Sequence, residues 1–136
     1  MKHDPHRRSP ELSVVVPLFN EESNVGALHD RLTSSLATVA MSYELVFVDD
    51  GSHDATPRLL DHLQGSDPNV VVLRLSRNFG HQAAVSAGLD HARGRGVIVM
   101  DGDLQDPPEL LKEFIRLWRS GFKVVAAVKP GSRGLA

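Results

Sequence analysis

In the segment VMDGDLQDPPE, residues 99–109, Asp101, Asp103, Asp106 and Glu109 crowd together directly behind an apolar run. Asp106, Pro107 and Glu109 have the order of a helix start. The first would be an N-cap, the proline would sit at the first helical position, and the glutamate would be the return arm of a capping box. Asp101 and Asp103 need another explanation. Carboxylates two apart, with Gly102 between them in a turn, can converge on one hard divalent cation, Mg²⁺ or Mn²⁺. Such an ion commonly completes its shell with substrate phosphates and water.

A second acidic stretch, VDDGSHDAT, holds Asp49, Asp50 and Asp54 around Gly51, which permits a sharp turn. Asp54 reads as a cap for a helix with Pro57 in its first turn. Asp49 and Asp50 are adjacent and point in different directions, so one can receive hydrogen bonds from a base or a sugar hydroxyl. A third stretch is VPLFNEESN. There Ser23 or Asn24 is a candidate N-cap, Glu21 and Glu22 lie near the positive helix end, and Pro17 removes a ladder donor and bends the backbone into a pocket wall. No Gly-x-Gly-x-x-Gly follows the first strand, and the Gly94–Gly96 stretch precedes a strand, which is the wrong context for a dinucleotide fingerprint. His53 and His81 fall in loops near the same edge, and neither is compelling as a base.

The elements that must position these residues alternate along the chain. LSVVVPL (12–18), YELVFVD (43–49), NVVVLRL (69–75), GVIVMD (96–101) and FKVVAAV (122–128) have the near-continuous apolarity of strands covered on both faces. Between them, Val25, Leu28, Leu32 and Leu36 share a helix face, Leu59, Leu60 and Leu63 mark a shorter helix, and an Ala-rich helix runs from about His81 to Ala92. A fourth carries Leu110, Leu111, Phe114, Ile115, Leu117 and Trp118. This β-α alternation predicts an α/β fold with a mostly parallel sheet between helices, where ligands bind beyond the carboxyl ends of the strands.

The chain has 136 residues, enough for one domain, and a net charge of −2, which excludes the broad basic field that recruits nucleic acid. It contains no cysteine, so disulfides and thiol catalysis are excluded. Residues 1–10 read as a flexible tail in which His3 and His6 are solvated, and residues 11–136 as one domain. No apolar run reaches the length of a membrane span, and the start lacks the apolar segment of a signal peptide. The expectation is a cytoplasmic, soluble chain.

Together, VVVPLFNEESNV, VFVDDGSHDAT, LSRNFGHQAAVSAGLDHARG and MDGDLQDPPE resemble the inverting family 2 glycosyltransferases, closest to the bacterial dolichol-phosphate mannose synthase-like group that loads a sugar onto polyprenyl phosphate. The resemblance covers about residues 12–129 and implies the three-layer glycosyltransferase-A fold, incomplete after the fifth strand. It implies that Pro17, Phe19 and Glu21 form the first nucleotide-contacting loop, and that Val48 and Asp50 provide a wall and an acceptor for base and ribose. Asp101 and Asp103 match the metal-binding Asp-x-Asp and would be the catalytic pair, with Gly102 and Gln105 beside the diphosphate and sugar. Arg77, Asn78 and Gly80 match a further family segment, in which Arg77 reaches a phosphate or covers the sheet edge. Lys129 falls where many relatives have arginine and would neutralise a phosphate without the bidentate fork.

The implied reaction is in-line transfer of a hexosyl group from a nucleotide diphosphate sugar to a polyprenyl phosphate at the inner membrane face, in the making of cell-envelope glycan. A UDP-sugar is favoured and a GDP-sugar is second. Two other readings stand beside it. One is a module that holds a nucleotide sugar without turnover. The other is a receiver-like signalling domain, suggested by Lys129-Pro130 after the fifth strand but opposed by tips that read PLFNEE and RLSRN where a receiver needs its acids.

Overall fold

A run of Val, Leu and Ile without polar alternation makes a strand only where both faces are covered. The computed structural model, which describes residues 9–102 and 110–121, shows how the cover is supplied. The elements are β1 (Leu12–Leu18), α1 (Val25–Leu36), β2 (Tyr43–Asp49), α2 (Thr56–Ser66), β3 (Val70–Arg74), α3 (His81–His91), β4 (Gly96–Val99) and α4 (Leu110–Arg119). Among the described residues the strands form one parallel sheet in the order β3-β2-β1-β4. The expected fifth strand at 122–128 and the Asp106–Glu109 capping group lie outside the described residues.

One face of the sheet, through Val14, Val16, Leu18, Leu45 and Phe47, packs on Val25, Leu28, Leu32 and Leu36 of α1, Leu60 of α2, and Leu111 and Ile115 of α4. A fully buried leucine of this kind contributes roughly 1.5–3 kcal/mol relative to an exposed one. Leu59 and Leu63 of α2 and Phe114 and Trp118 of α4 are only partly buried, at the border of this core. The other face, through Val15, Val46, Val48 and Val71, is covered by α3 with Ala84. Small residues let α3 sit low: a methyl placed on Gly88 would come within 2.4 Å of Val15 Cγ1. At the amino-terminal edge, the buried Glu44 accepts hydrogen bonds from Ser13 Oγ (2.6 Å) and from the Arg93 amide (2.8 Å), which ties the α3–β4 turn to β1 and β2.

Pro17 explains why β4 is shorter than its apolar run. The last β1–β4 pair is Val15 with Val99, and the Met100 amide then donates to Val15 O at 2.9 Å. The next rung would need a donor from position 17, and proline has none. The chain leaves β1 there. On its other side β1 keeps pairing with β2, and the Asp50 amide donates to Leu18 O at 2.9 Å. The order with β1 between β2 and β4 also disposes of the receiver reading, because receivers place β1 between β2 and β3.

Candidate functional site

In an open α/β sheet of this order the strand order reverses between β1 and β4, and the carboxyl ends of those parallel strands leave a crevice. Here the crevice measures about 320 Å³. Pro17, Leu18, Phe19 and Glu21 line it from the β1 tip, Asp50 from β2, Asn78 and Gly80 from the β3–α3 loop, His81 and Ala84 from α3, and Asp101 and Gly102 from the β4 tip. The sequence-predicted residues Pro17, Phe19, Glu21, Asp50, Asp101 and Gly102, from separate stretches of chain, therefore meet at one cavity.

The β1–α1 loop is held by its neighbour after β2. The Asn20 amide donates to Ser52 Oγ, while Asn20 Oδ1 accepts from the His53 amide at 2.9 Å. Asn20 has φ 52°, a left-handed conformation that asparagine tolerates better than most residues. The Glu21 amide donates to Thr56 Oγ1 at 2.9 Å, the Glu22 amide to Asp54 Oδ2 at 3.2 Å, and the Ala55 amide to Glu22 Oε2 at 3.3 Å. The expectation of a Ser23 or Asn24 cap with Glu22 answering the helix dipole is corrected. No side-chain cap bond forms at α1; Asn24 Nδ2 instead donates to Glu21 Oε1, and Glu22 binds the opposite loop.

The expected Asp54 cap is corrected: Ala55 holds the N-cap position of α2 with no side-chain cap bond, and Asp54, one residue earlier, accepts the Thr56 amide at 2.9 Å in the turn leading into the helix. Partial burial works against the charge of its carboxylate. Hydrogen bonds from the Thr56 side chain and amide and from the Glu22 amide outweigh that effect and hold its pKa below the ordinary aspartate value.

The paired acids after β2 have separate tasks. Asp49 is 1% exposed; its Oδ1 accepts the Ser52 amide at 3.1 Å, closing the turn, and Arg74 Nε lies 3.9 Å from Oδ2. Asp50 is 4% exposed and its carboxylate clamps the third loop, Oδ1 accepting the Phe79 amide at 2.8 Å and Oδ2 the Gly80 amide at 3.0 Å. Gly51, with φ 73°, allows that loop to come close, since a methyl there would stand 2.3 Å from the Arg77 carbonyl carbon. Asp50 thus reaches the crevice already engaged with the backbone that forms the opposite lip.

Two expectations change. Val48 is no crevice wall: it is fully buried in the core beneath α3, where Ala84 covers it. Arg77 does not line the cavity; its guanidinium lies 4.2 Å from the ring centre of the exposed Phe79, a cation–π contact at the lip. Asp103, Gln105 and Lys129 lie outside the described residues. Phe19 is 42% exposed at the mouth, edge-on to the His53 ring at 6.4 Å.

At the β4 tip, His81 Nε2 lies 3.1 Å from Asp101 Oδ1. Gly102 is closely covered, because a methyl on it would meet Leu18 Cδ2 at 2.0 Å and Pro17 O at 3.2 Å. Among the described residues no cluster of three or more potential ligands for a metal ion forms. Asp101 brings a hard oxygen donor to the crevice, which suits a cation completed by phosphate oxygens and water. His81 and Asn78 are contributors that spacing did not pick out. Both sit in a segment that paired with no acid in the sequence and is brought to Asp101 only by the sheet order.

The sequence matches the family described as Glycosyl transferase family 2 over residues 13–134. It is 43% identical over 127 residues to the glycosyltransferase YkcC of Bacillus subtilis, covering 93% of this chain and 39% of that protein. It is also 43% identical over 117 residues to the bactoprenol glucosyl transferase of Shigella phage SfV, covering 86% of this chain and 38% of that protein. The chain thus spans about two fifths of the length of these relatives. Among solved structures it is similar to the mannosyltransferase PcManGT of Pyrobaculum calidifontis in complex with GDP-Man and Mn²⁺, with TM-score 0.62 and 26% identity over 71% of this chain and 28% of that one. It is similar as well to S. aureus TarS 1-349 in complex with UDP, with TM-score 0.62 and 28% identity over 81% of this chain and 32% of that one. The arrangement is the glycosyltransferase-A fold. Among the described residues no helix is long and apolar enough to cross a membrane.

Proposed function

Since the chain belongs to glycosyl transferase family 2, we propose that its crevice binds a nucleotide diphosphate sugar and that the sugar passes, with inversion, to a polyprenyl phosphate at a membrane surface. A UDP-sugar is the first choice of donor and a GDP-sugar the second. The observation that supports this reading most is the meeting of Glu21, Asp50 and Asp101 with Phe19 at the one cavity that opens where β1 and β4 part. The donors named for the structural neighbours and the bactoprenol acceptor named for the phage relatives point the same way.

The base and ribose would lie between the β1–α1 loop and the lip carrying Asn78, with Phe19 offering an aromatic face and Glu21 and Asp50 accepting hydrogen bonds from hydroxyl or imino groups. Asp50 can do so while clamping Phe79 and Gly80, because a carboxylate has about four acceptor sites. The diphosphate would lie toward Asp101, Gly102, Asp103 and Gln105, with Lys129 as a compensating charge. A Mg²⁺ or Mn²⁺ held by Asp101 and Asp103 would neutralise charge developing on the leaving nucleoside diphosphate. This chain's own residues fix the donor so that the anomeric carbon faces the open side of the crevice. There a phosphate oxygen of the acceptor forms the new bond as the bond to the β-phosphate oxygen breaks. An acceptor that is already an anion needs no general base, in keeping with a crevice whose His81 pairs with Asp101.

The test is transfer of labelled sugar from a panel of UDP- and GDP-sugars to polyprenyl phosphate in vesicles, with Mn²⁺, read by extraction of a lipid-linked product. Lipid-linked product carrying the inverted linkage supports the reading. Donor binding without product assigns this chain the donor half alone, and neither binding nor product contradicts it.

A further inference from the structure

We propose that His81 is a positioning residue for Asp101, and that metal-dependent donor binding requires it; this rests on the reading of the crevice as a nucleotide-sugar site. The geometry starts at β2. Asp50 holds the amides of Phe79 and Gly80, and Gly80, with φ 109°, turns the chain so that α3 begins at His81. The position of His81 is therefore dictated by the β2 tip, two strands away from β4 and so about 10 Å across the sheet. Its imidazole meets Asp101 at 3.1 Å, past the point where the β1–β4 ladder ends. The tips on either side of the crevice are thereby joined through one ring.

Among the described residues the cavity lining holds Glu21, Asp50 and Asp101 but no lysine or arginine, and His81 is its one basic side chain. The ring adds a hydrogen bond at Oδ1 of a carboxylate that is 17% exposed, and so holds that oxygen where a cation bound beside Gly102 would need it. Partners of a ligating carboxylate, when removed, commonly lower metal affinity 10- to 100-fold. An ordinary exposed pair of the same two residues, worth about 0–1 kcal/mol, would leave affinity untouched.

The experiment compares His81→Ala and His81→Gln with the unaltered chain by calorimetric titration of UDP-sugar, in Mn²⁺ and in excess chelator. Glutamine places an amide nitrogen near the Nε2 position. His81→Ala is expected to weaken binding in Mn²⁺ at least about tenfold, to leave the chelator baseline and the melting temperature unchanged, and to be largely rescued by His81→Gln. Equal affinity of His81→Ala and the unaltered chain overturns the inference alone, as does a loss shared by both variants together with lowered melting. Absence of binding by the unaltered chain overturns the donor-site reading instead. A second measurement then decides the residue pair without a ligand: long-range ¹⁵N–¹H spectra of the imidazoles. Asp101→Asn should shift the His81 ring nitrogens and leave those of His53 in place. Unmoved His81 signals would overturn the pairing.

Discussion

Removing the Asp50 carboxylate should unmake the crevice lip. In Asp50→Ala the amides of Phe79 and Gly80 lose acceptors at 2.8 and 3.0 Å. Each hydrogen bond to a charged group is worth about 1.5–3 kcal/mol, and because the loop is half-exposed, water replaces part of that, leaving a loss of about 2–4 kcal/mol. For a chain of this size each kcal/mol moves the melting point by about 3–5 °C, so a fall of about 10 °C is expected. Asp50→Asn keeps one carbonyl acceptor but turns an NH₂ group toward the other amide, and should lose about half as much or more. Asp61→Asn is the control: its pair with Arg74 at 3.0 Å is exposed, and its loss should stay within about 1 kcal/mol. The assay is urea unfolding followed by circular dichroism, paired with donor titration. Asp50→Ala should lose stability and binding together. If it lost less than about 0.5 kcal/mol, or no more than the Asp61 control, the clamp would be refuted. Binding lost at full stability would assign Asp50 to the ligand alone.

Three further outcomes follow from the packing and the loops. Gly88→Ala places a methyl 2.4 Å from Val15 Cγ1 and should cost about 1–3 kcal/mol by overpacking beneath α3; an unchanged urea midpoint would contradict the close seat of that helix. Asn20→Ala loses the bond to the His53 amide and keeps the left-handed φ of 52°, so it should cost about 1–2 kcal/mol, more than Asn20→Gly, in the same assay. Asp54 is held below its ordinary pKa in the folded chain, so its contribution is complete above the ordinary aspartate range and is lost as pH falls through the lowered folded pKa. Urea midpoints of the unaltered chain and Asp54→Asn should therefore converge between pH 6 and pH 3, and a constant gap would contradict the assignment.

The alternation of strands and helices was legible because each carries its period in local sequence: α1 buries Val25, Leu28, Leu32 and Leu36 as their spacing requires. The tips of β1, β2 and β4 were legible as well, since proline or glycine with acids ends those runs, whereas β3 ends in Arg74 with neither. What was not legible is non-local. Nothing in LVFVDD distinguishes a Val48 covered by α3 from one that walls a pocket, because a strand buried on both faces has no polar parity. The seam between residues 20–22 and 52–56 joins positions more than thirty apart through side-chain to backbone bonds, which leave no periodic mark. Asn20 did carry a signal, being the residue type that accepts positive φ. His81 carried one only in retrospect: opening a helix after Gly80, it lies where Asp50 and the β2-β1-β4 order set it against Asp101.

The claim on which the account depends is that an acidic crevice accepts a diphosphate only with a cation held at the β4 tip. Its most direct test is calorimetry of UDP-sugar and GDP-mannose against the unaltered chain and Asp101→Ala, in Mn²⁺ and in excess chelator. Stoichiometric binding of one donor is expected in Mn²⁺, abolished by chelator and by Asp101→Ala. Equal affinity with chelator present, or with Asp101 removed, would contradict it.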